Sequence, residues 1–375
     1  MRPTRVVTKL LTILTWSLLS PSSWAEDASI TDGCRGDLNY LPGFLLANDT
    51  GAADNRRYRG EAVIAAAYDE ADREAATVKS ESDCLAVIST YLKAWREKHL
   101  AIVPADWSPL DDAKSSAEST SSAAAPQARI HWLSNETVVL TFPTFYATAA
   151  EDIATMMTHN QRRLARTPNW IIDVRNNDGG DDGTYAPIAA AVIGNPILMA
   201  GVEFLSTPAN IEGTAGICDL YAPGDARCAA QVGSLVALMR AAKPGTYVPH
   251  PRLGNVVTKV DPSEPRRRRP ARVAVLTDQG CGSSCEQFVL EMKQAWNVKI
   301  FGRRTAGALD YSNLRPHKLP SGRRIVLYAT SRSKRLPYMP VDAVGIAPDV
   351  FLPPPVDEAA RAIEIDTVRA LMEQR

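Results

Sequence analysis

The sequence has no excess of charge of either sign and lacks the short patterns that bind metal ions. Its 375 residues include 42 Lys and Arg and 42 Asp and Glu, so the formal net charge is zero. Such a balance creates no overall field that would attract nucleic acid or an anionic membrane. The chain also has no C-x-x-C pair and no H-E-x-x-H motif, two spacings that hold zinc. We therefore expect no nucleic-acid partner and no metal or organic cofactor.

Long hydrophobic runs are also missing, apart from one near the N-terminus. There, three basic residues precede the apolar stretch 10–19, which is followed by a Ser-Trp-Ala sequence that ends at Ala25. The stretch is shorter than the ~20 residues that a membrane-spanning helix needs. A basic segment, a short apolar segment and a small-residue cleavage site are the three parts of a secretory signal peptide. We expect cleavage after Ala25 to remove residues 1–25. The mature protein would then have no integral membrane segment and would be periplasmic or secreted.

The six cysteines matter because disulfides persist outside the cytosol. Sequence alone allows about 15 connectivities among six cysteines. The simplest is pairing in chain order, which predicts the disulfides Cys34–Cys84, Cys218–Cys228 and Cys281–Cys285.

The hydrophobic pattern divides the chain into four parts after the predicted signal peptide. Residues 26–110 have apolar residues at helical spacing and predict a small helical N-terminal domain. Residues 111–128 are rich in serine and alanine, which predicts a linker or surface loop. Strand and helix patterns alternate over 129–355, which predicts an α/β core with helices packed on a largely parallel sheet, and 356–375 predicts a final helix. The clearest strand patterns lie at 138–142, 170–174, 272–277, 298–301 and 324–329.

A small hydroxyl residue lies where one predicted strand passes into a predicted helix. The segment CGSSCE at residues 281–286 follows strand 272–277 and precedes apolar residues at helical spacing. The free N–H groups at the start of such a helix point at whatever binds there. Ser283 is therefore a candidate nucleophile. On this segment alone it is equally reasonable that Ser283 or Ser284 caps the helix and that Glu286 completes a capping box.

A second candidate element is the polar turn that follows strand 170–174. The segment DVRNNDGG at residues 173–180 ends in Gly179 and Gly180. Two glycines allow a close approach of the backbone to a ligand and offer bare N–H groups, as an oxyanion hole requires. The same residue types are strong turn formers, so a plain turn also explains this segment when it is taken by itself.

Four segments in order resemble the C-terminal-processing and tricorn-type serine proteases. DVRNNDGG is similar to the Asp-Leu-Arg-x-Asn-x-Gly-Gly turn of that family, and SSCE at 283–286 is similar to its Ser-Ala-Ser-Glu motif, in which the first serine attacks. GRRTAG at 302–307 and GIAPDV at 345–350 resemble its Gly-x-x-Thr-x-Gly and Gly-Ile-x-Pro-Asp-Val segments. The matching segments cover most of residues 85–355. The resemblance implies that residues 129–355 form a protease core with a crotonase-like sheet.

The resemblance also suggests the general base. The processing branch of the family uses a lysine shortly after its Thr-x-Gly segment, and residues 308–313 contain none. A Ser–Lys dyad is therefore disfavoured. The tricorn-like branch uses a histidine supported by an acidic residue shortly before the Pro-Asp motif. These roles fall on His99 as base and on Asp342 as its orienting acid, although Glu97-Lys98 stands here where the family has Asp-Gly.

The resemblance implies an oxyanion hole formed by the N–H group of Ser284 together with that of Gly179 or Gly180. The processing proteases also have a PDZ domain that binds the C-termini of substrates. Residues 102–130 leave no room for one.

These observations predict an exported serine endopeptidase that hydrolyses peptide bonds through an acyl-enzyme on Ser283, with a peptide or protein as its substrate. Two alternatives stay open. One is a catalytically inactive relative that binds peptides at a strand edge, since the lysine is missing and the segment before His99 is altered. The other is an esterase or amidase that acts on small substrates with the same residues. The oligomeric state has no signal in the sequence.

Overall fold

The computed structural model describes residues 22–109, 127–262 and 270–374, with side chains from residue 29 onward. Residues 1–21 of the predicted signal peptide, residue 110 and residues 111–126 of the predicted linker lie outside these ranges. Inside them, no helix combines the length and the apolar composition that crossing a membrane requires.

The described part of the chain is a mixture of helices and strands. The helices are α1 Ser22–Asn48, α2 Ala52–Arg59, α3 Glu61–Ala75, α4 Glu81–Trp95, α5 Ala150–His159, α6 Gln161–Leu164, α7 Asp182–Val192, α8 Pro208–Ala215, α9 Ile217–Tyr221, α10 Ala226–Ala241, α11 Ser284–Met292 and α12 Glu358–Glu373. The strands are β1 Ala101–Pro104, β2 Arg129–Trp132, β3 Thr137–Thr141, β4 Asn169–Asp173, β5 Ile197–Ala200, β6 Val202–Ser206, β7 Thr246–Pro249, β8 Val257–Val260, β9 Arg272–Thr277, β10 Val298–Gly302, β11 Tyr311–Lys318, β12 Arg324–Ser333 and β13 Val350–Phe351.

A six-stranded sheet in the order β13-β10-β9-β4-β3-β2 forms the centre of the core. All neighbouring strands in it are parallel except β2 and β3. The inner strands β4 and β9 alternate between two apolar layers. Ile172 and Val275 belong to the layer that includes residues of α5, α7 and α11, whereas Ile171 and Ala274 belong to the layer that includes residues of α12. The prediction of an α/β core with packed helices is confirmed.

The order of the core strands places both candidate turns side by side. β4 and β9 are parallel neighbours, with Asp173 in register with Leu276. Their carboxyl ends therefore meet at one edge of the sheet, where the turn with Gly179 and the turn with Ser283 emerge. Ligands of open α/β sheets bind at this kind of edge.

One strand prediction needs correction. The pattern at 324–329 was expected to add a strand to the largely parallel core sheet. Strand β12 instead belongs to a separate antiparallel sheet, in which it pairs with β1, β6 and β11. Its buried residues Val326 and Tyr328 pack in one cluster with residues of α1 and α4. The second sheet therefore joins the N-terminal helices to the rest of the molecule.

The N-terminal helices confirm the predicted helical region and share one apolar core with residues of β12. Leu38 and Leu41 of α1 pack with Tyr91 and Trp95 of α4, and the disulfide Cys34–Cys84 joins the same two helices. Ser80 caps α4 by accepting a hydrogen bond from the N–H of Asp83. The helices end at Trp95, and Ala101–Pro104 then forms β1.

Loss of the Asp37 carboxylate is expected to destabilise this region strongly. Arg324 is 0% exposed, and its guanidinium binds Asp37 at 2.8 Å and Glu81 at 2.6 Å. Asp37→Ala leaves a buried charge without its buried partner, which lowers the free energy of unfolding by about 3–5 kcal/mol. Glu81→Ala is the matched control, because its half-exposed carboxylate contributes less than about 1 kcal/mol. Urea unfolding of both variants measures this; equal losses would contradict the expectation.

Candidate active site

Ser283 lies on a strained turn and its side chain does not cap the helix that follows. Its backbone has φ +54° and ψ −124°, a conformation that a residue with a side chain rarely adopts. The residue occupies the N-cap position of α11, yet within the described chain its side chain accepts no capping hydrogen bond. The carbonyl of Ser283 instead accepts the N–H groups of Glu286 and Gln287. The capping alternative is therefore wrong for Ser283. Backbone strain at a partly buried serine of this kind is found in functional sites, including those of serine nucleophiles.

A disulfide spans the turn that contains Ser283. Cys281 and Cys285 are bonded, with their Cα atoms 5.4 Å apart, and both are fully buried. The other two pairs, Cys34–Cys84 and Cys218–Cys228, are also formed. Pairing in chain order is therefore confirmed for all three disulfides.

Removal of the Cys281–Cys285 disulfide is expected to loosen the turn and slow any chemistry at Ser283. In the chain-entropy view, a loop this short adds about 2 kcal/mol to the free energy of unfolding. The double variant Cys281→Ala/Cys285→Ala should lose about that much stability and react more slowly with a serine-directed probe. Cys218→Ala/Cys228→Ala is the control and should keep the wild-type rate. An unchanged rate in the first variant would contradict a role for this disulfide at Ser283.

The carboxylate of Glu286 fixes the nucleophile turn to the neighbouring loop. It is fully buried and accepts hydrogen bonds from Thr305 Oγ1 at 2.5 Å, from Gly307 N at 2.8 Å and from Ala308 N at 2.7 Å. Burial raises the pKa of Glu286, while these donors act against the rise. The N–H of Ser283 in turn donates to the carbonyl of Ala308. The GRRTAG segment therefore serves as a support for the turn that contains Ser283.

Asn177 joins the glycine turn to the nucleophile turn. Its side-chain amide donates to the carbonyl of Phe142 and accepts from Gly179 N, both at 2.9 Å. Its own carbonyl accepts the N–H of Gly282. Gly179 has φ +106°, and a Cβ there would lie 2.7 Å from Ser283 Cβ. The two turns are therefore in direct contact, and the plain-turn alternative does not account for this contact.

Two N–H groups where the glycine turn meets the nucleophile turn have no hydrogen-bond partner among the described residues. Gly179 N already donates to Asn177, whereas Gly180 N and Ser284 N make no hydrogen bond to another residue of the described chain. The side chain of Ser284 donates to the carbonyl of Gly180 at 2.9 Å, which fixes one candidate donor against the other. Ser284 N is also the first N–H of α11, where the helix dipole favours negative charge.

His99 is a neutral imidazole with one nitrogen already occupied. It follows α4 with φ +55°, and its Nδ1 lies 2.6 Å from the carbonyl oxygen of Tyr311. A carbonyl oxygen only accepts, so Nδ1 must hold the proton and Nε2 is left as an acceptor. Burial lowers the pKa of His99 from 6.5 to about 4, the Tyr311 carbonyl acts against this, and the charge of Arg96 adds to the lowering.

A buried ion pair holds the backbone on either side of His99. The guanidinium of Arg96 binds Asp49 at 2.7 and 2.8 Å, and it also donates to the carbonyls of Lys98 at 2.9 Å and His99 at 2.8 Å. Asp49 lies just after α1 and accepts the N–H groups of Gly51 and Ala329 as well. Neither Arg96 nor Asp49 was identified from the sequence. They are 47 residues apart, and nothing in their neighbours marks them as partners.

The Asp342 carboxylate binds backbone N–H groups just before β11, the strand that begins with Tyr311. Its Oδ1 accepts the N–H groups of Leu309 and Asp310, each at 2.6 Å. Burial raises the pKa of Asp342 to about 6, partly offset by these two donors. The described hydrogen bond of His99 Nδ1 is made by the Tyr311 carbonyl and not by this carboxylate.

One cavity of about 600 Å³ brings the predicted nucleophile and base together. Both Ser283 and His99 line it. Lys98, Asp152, Asp178 and Tyr146 contribute polar groups to its walls, and Tyr146 donates to Asp178 at 2.6 Å. The described residues contain no group of three or more His, Cys, Asp or Glu side chains arranged to hold a metal ion.

Two solved structures illustrate the fold. A putative peptidase from Parabacteroides merdae has a TM-score of 0.55 and 17% identity, over 91% of this chain and 97% of that chain. Mature CPAF complexed with lactacystin has a TM-score of 0.61 and 13% identity, over 92% of this chain and 98% of that chain. At such identities the likeness establishes the fold alone. No curated protein sequence matches the chain.

The fold and the family comparison define the class as a peptidase, a hydrolase of peptide bonds. The model of peptidase family S41 matches residues 136–352, more than half of the chain. The protein belongs to peptidase family S41, which confirms the resemblance found in the sequence. The matched region contains Gly179, Ser283 and Asp342, whereas His99 precedes it.

Proposed function

We propose that the protein is an exported serine endopeptidase that forms an acyl-enzyme on Ser283 with His99 as its general base. The observation that supports this most is the shared cavity, in which the strained Ser283 and the neutral His99 both lie. The Nε2 of His99 is available as an acceptor because Nδ1 donates to Tyr311. The three disulfides are consistent with an extracytoplasmic location, periplasmic or secreted.

The proposed chemistry follows from these atoms. His99 Nε2 takes the hydroxyl proton while Ser283 Oγ attacks the carbonyl carbon of the peptide bond. The N–H of Ser284 and one from the glycine turn, Gly180 or Gly179, hold the tetrahedral oxyanion. His99 then returns the proton to the leaving amine. In the second half of the reaction, His99 takes a proton from a water molecule while that water attacks the ester carbon. The proton then passes to Ser283 Oγ as the acid product leaves. Asp342 supports the base from a turn, where its carboxylate holds the backbone of residues 309–310 just before Tyr311.

A fluorophosphonate probe tests the proposal directly. The mature protein, taken from Glu26, should react at one serine. Ser283→Ala and His99→Ala should abolish labelling, whereas Ser284→Ala should still be labelled, since its N–H group is kept. Labelled protein should also fail to cleave a denatured protein substrate such as casein. A folded wild type that is not labelled would contradict the proposal and favour the peptide-binding alternative, and labelling without cleavage of any peptide would favour the esterase alternative.

Activity is expected to persist to unusually low pH. A base works only when neutral, and the pKa of His99 is lowered to about 4. The labelling rate should therefore stay level down to about pH 5 and fall with a midpoint near 4, instead of near the ordinary value of 6.5.

Stability is a poorer readout of the same titration, because two groups act with opposite sign. Between pH 6.5 and 4 the unfolded chain binds a proton on His99 that the folded chain does not, so the free energy of unfolding falls as pH falls. Asp342, with its pKa raised to about 6, binds its proton first in the folded chain, which favours folding as pH falls from 6 to 3.8. The labelling rate should be measured on protein whose circular dichroism is unchanged; a midpoint near 6.5 would contradict the expectation.

A further inference from the structure

We propose that the main-chain carbonyl of Tyr311 orients the base His99, and that Asp342 is a positioning residue acting through the backbone of residues 309–311. This rests on the proposed function of Ser283 and His99 and deepens it. In a Ser-His-Asp arrangement the carboxylate holds the imidazole in the tautomer with the proton on Nδ1 and stabilises the imidazolium that forms. Here the carbonyl oxygen of Tyr311, which is neutral, holds the imidazole in that tautomer. It stabilises the imidazolium only through its dipole.

The Asp342 carboxylate is occupied by backbone N–H groups. Its Oδ1 accepts Leu309 N and Asp310 N, each at 2.6 Å. Asp310 Oδ2 accepts Val341 N at 2.5 Å and Asp342 N at 2.9 Å in return. These reciprocal bonds hold residues 309–310 and residues 341–342 against each other. The next residue in the chain is Tyr311, so the position of its carbonyl follows from this pairing.

Tyr311 is fixed at its side chain and along its strand as well. Its hydroxyl donates to Asp54 of α2 at 2.8 Å, and the guanidinium of Arg96 lies 5.4 Å from the centre of its ring. Tyr311 also pairs with Arg332 across β11 and β12. These contacts hold the hydroxyl, the ring and the strand of Tyr311, so its carbonyl can set the orientation of a histidine side chain without a carboxylate in contact.

The charges near the imidazole of His99 act on its pKa with both signs. Burial is the main cause of the lowered pKa of His99, and the charged groups that contribute most to it are Arg96, Asp49 and Lys98. Arg96 and Lys98 lower the pKa, and Asp49 raises it. A carboxylate in contact with the imidazole would raise the pKa strongly, because it favours the charged form.

Two substitutions at Asp342 separate this arrangement from a direct triad. One oxygen accepts both backbone N–H groups, and asparagine keeps one such oxygen. Asp342→Asn is therefore expected to keep the fluorophosphonate labelling rate within about 10-fold of wild type, whereas Asp342→Ala, which loses both bonds, should fall further. In a direct triad the amide variant loses about 10⁴-fold, because it stabilises the wrong tautomer. A loss of that size in Asp342→Asn, or an amide variant no better than alanine, would overturn the proposal.

Nitrogen-15 NMR of labelled histidine measures the tautomer and the pKa of His99 and does not depend on activity. The His99 signal, assigned by its absence in His99→Gln, should show a proton on Nδ1 at pH 7 in wild type and in Asp342→Asn. The pKa from its titration should also be equal in the two proteins, because the charges of Arg96, Asp49 and Lys98 are unchanged. A proton on Nε2, or a pKa that drops in Asp342→Asn, would overturn the proposal. A wild type with the expected tautomer but no reaction with the probe would refute the proposed function and leave the orientation of His99 supported.

Discussion

Gly179→Ala is expected to lower the rate of fluorophosphonate labelling at Ser283 by about 10²–10³-fold, the effect of a lost oxyanion donor. The backbone of Gly179 has φ +106°, which alanine adopts only at a cost. A Cβ at this position would lie 2.7 Å from both Gly282 O and Ser283 Cβ, and 2.9 Å from Ser284 N. Two of these three atoms are backbone and cannot rotate away. The turn must therefore move, and with it the hydroxyl and the N–H group that the reaction uses.

Gly233→Ala is the matched control for this substitution. Gly233 lies inside helix α10, and a Cβ there would meet no atom within 4 Å. Alanine in a helix interior should raise the free energy of unfolding by about 0.5–1 kcal/mol and leave the labelling rate unchanged. Circular dichroism and thermal unfolding of both variants show whether Gly179→Ala remains folded. A folded Gly179→Ala variant with the wild-type labelling rate would contradict the contact between the two turns.

The parts of the fold that depend on short sequence patterns could be predicted. Strand β9 has the predicted bounds, Arg272–Thr277, because its side chains are buried on both faces and give a continuous apolar run. The turns with Gly179 and Ser283 were recognised because glycines and a small hydroxyl residue must occupy given positions there. The α/β class followed from the alternation of patterns, and the disulfides followed from the order of the cysteines in the chain.

The parts that depend on long-range packing could not be predicted. A buried strand has the same apolar pattern in any sheet. The sequence of residues 324–329 therefore does not show whether the strand belongs to the antiparallel sheet or to the core sheet. Residues 150–164 have apolar residues at the spacing of one amphipathic helix, yet the structure has two helices that meet at Asn160, whose side chain donates to the carbonyl of Met156. The hydrogen-bond partner of His99 is a main-chain carbonyl, which every residue has, so no residue type marks it. The support of the base by Arg96 and Asp49 likewise joins distant parts of the chain.

Arg96→Met is expected to lower the free energy of unfolding by about 3–5 kcal/mol, because the carboxylate of Asp49 then stays buried without its partner. Methionine keeps much of the length of the side chain but has no donors, so the carbonyls of Lys98 and His99 also lose their hydrogen bonds. Since a domain has about 5–15 kcal/mol of stability, most of the protein should remain folded at 25 °C. The labelling rate should nevertheless fall, because the left-handed backbone of His99 is no longer held.

The double variant Asp49→Asn/Arg96→Met separates these two effects of Arg96. It has neither of these two buried charges, so it should recover part of the lost stability in urea unfolding, as a double-mutant cycle would measure. It still lacks donors for the carbonyls of Lys98 and His99, so its labelling rate should stay low. Asp49→Asn alone is the control for loss of the carboxylate. Recovery of both stability and labelling would mean that Arg96 serves only as a counter-ion. Recovery of stability alone would mean that the N-terminal helical region, through Asp49 and Arg96, holds the base in place for the reaction at Ser283.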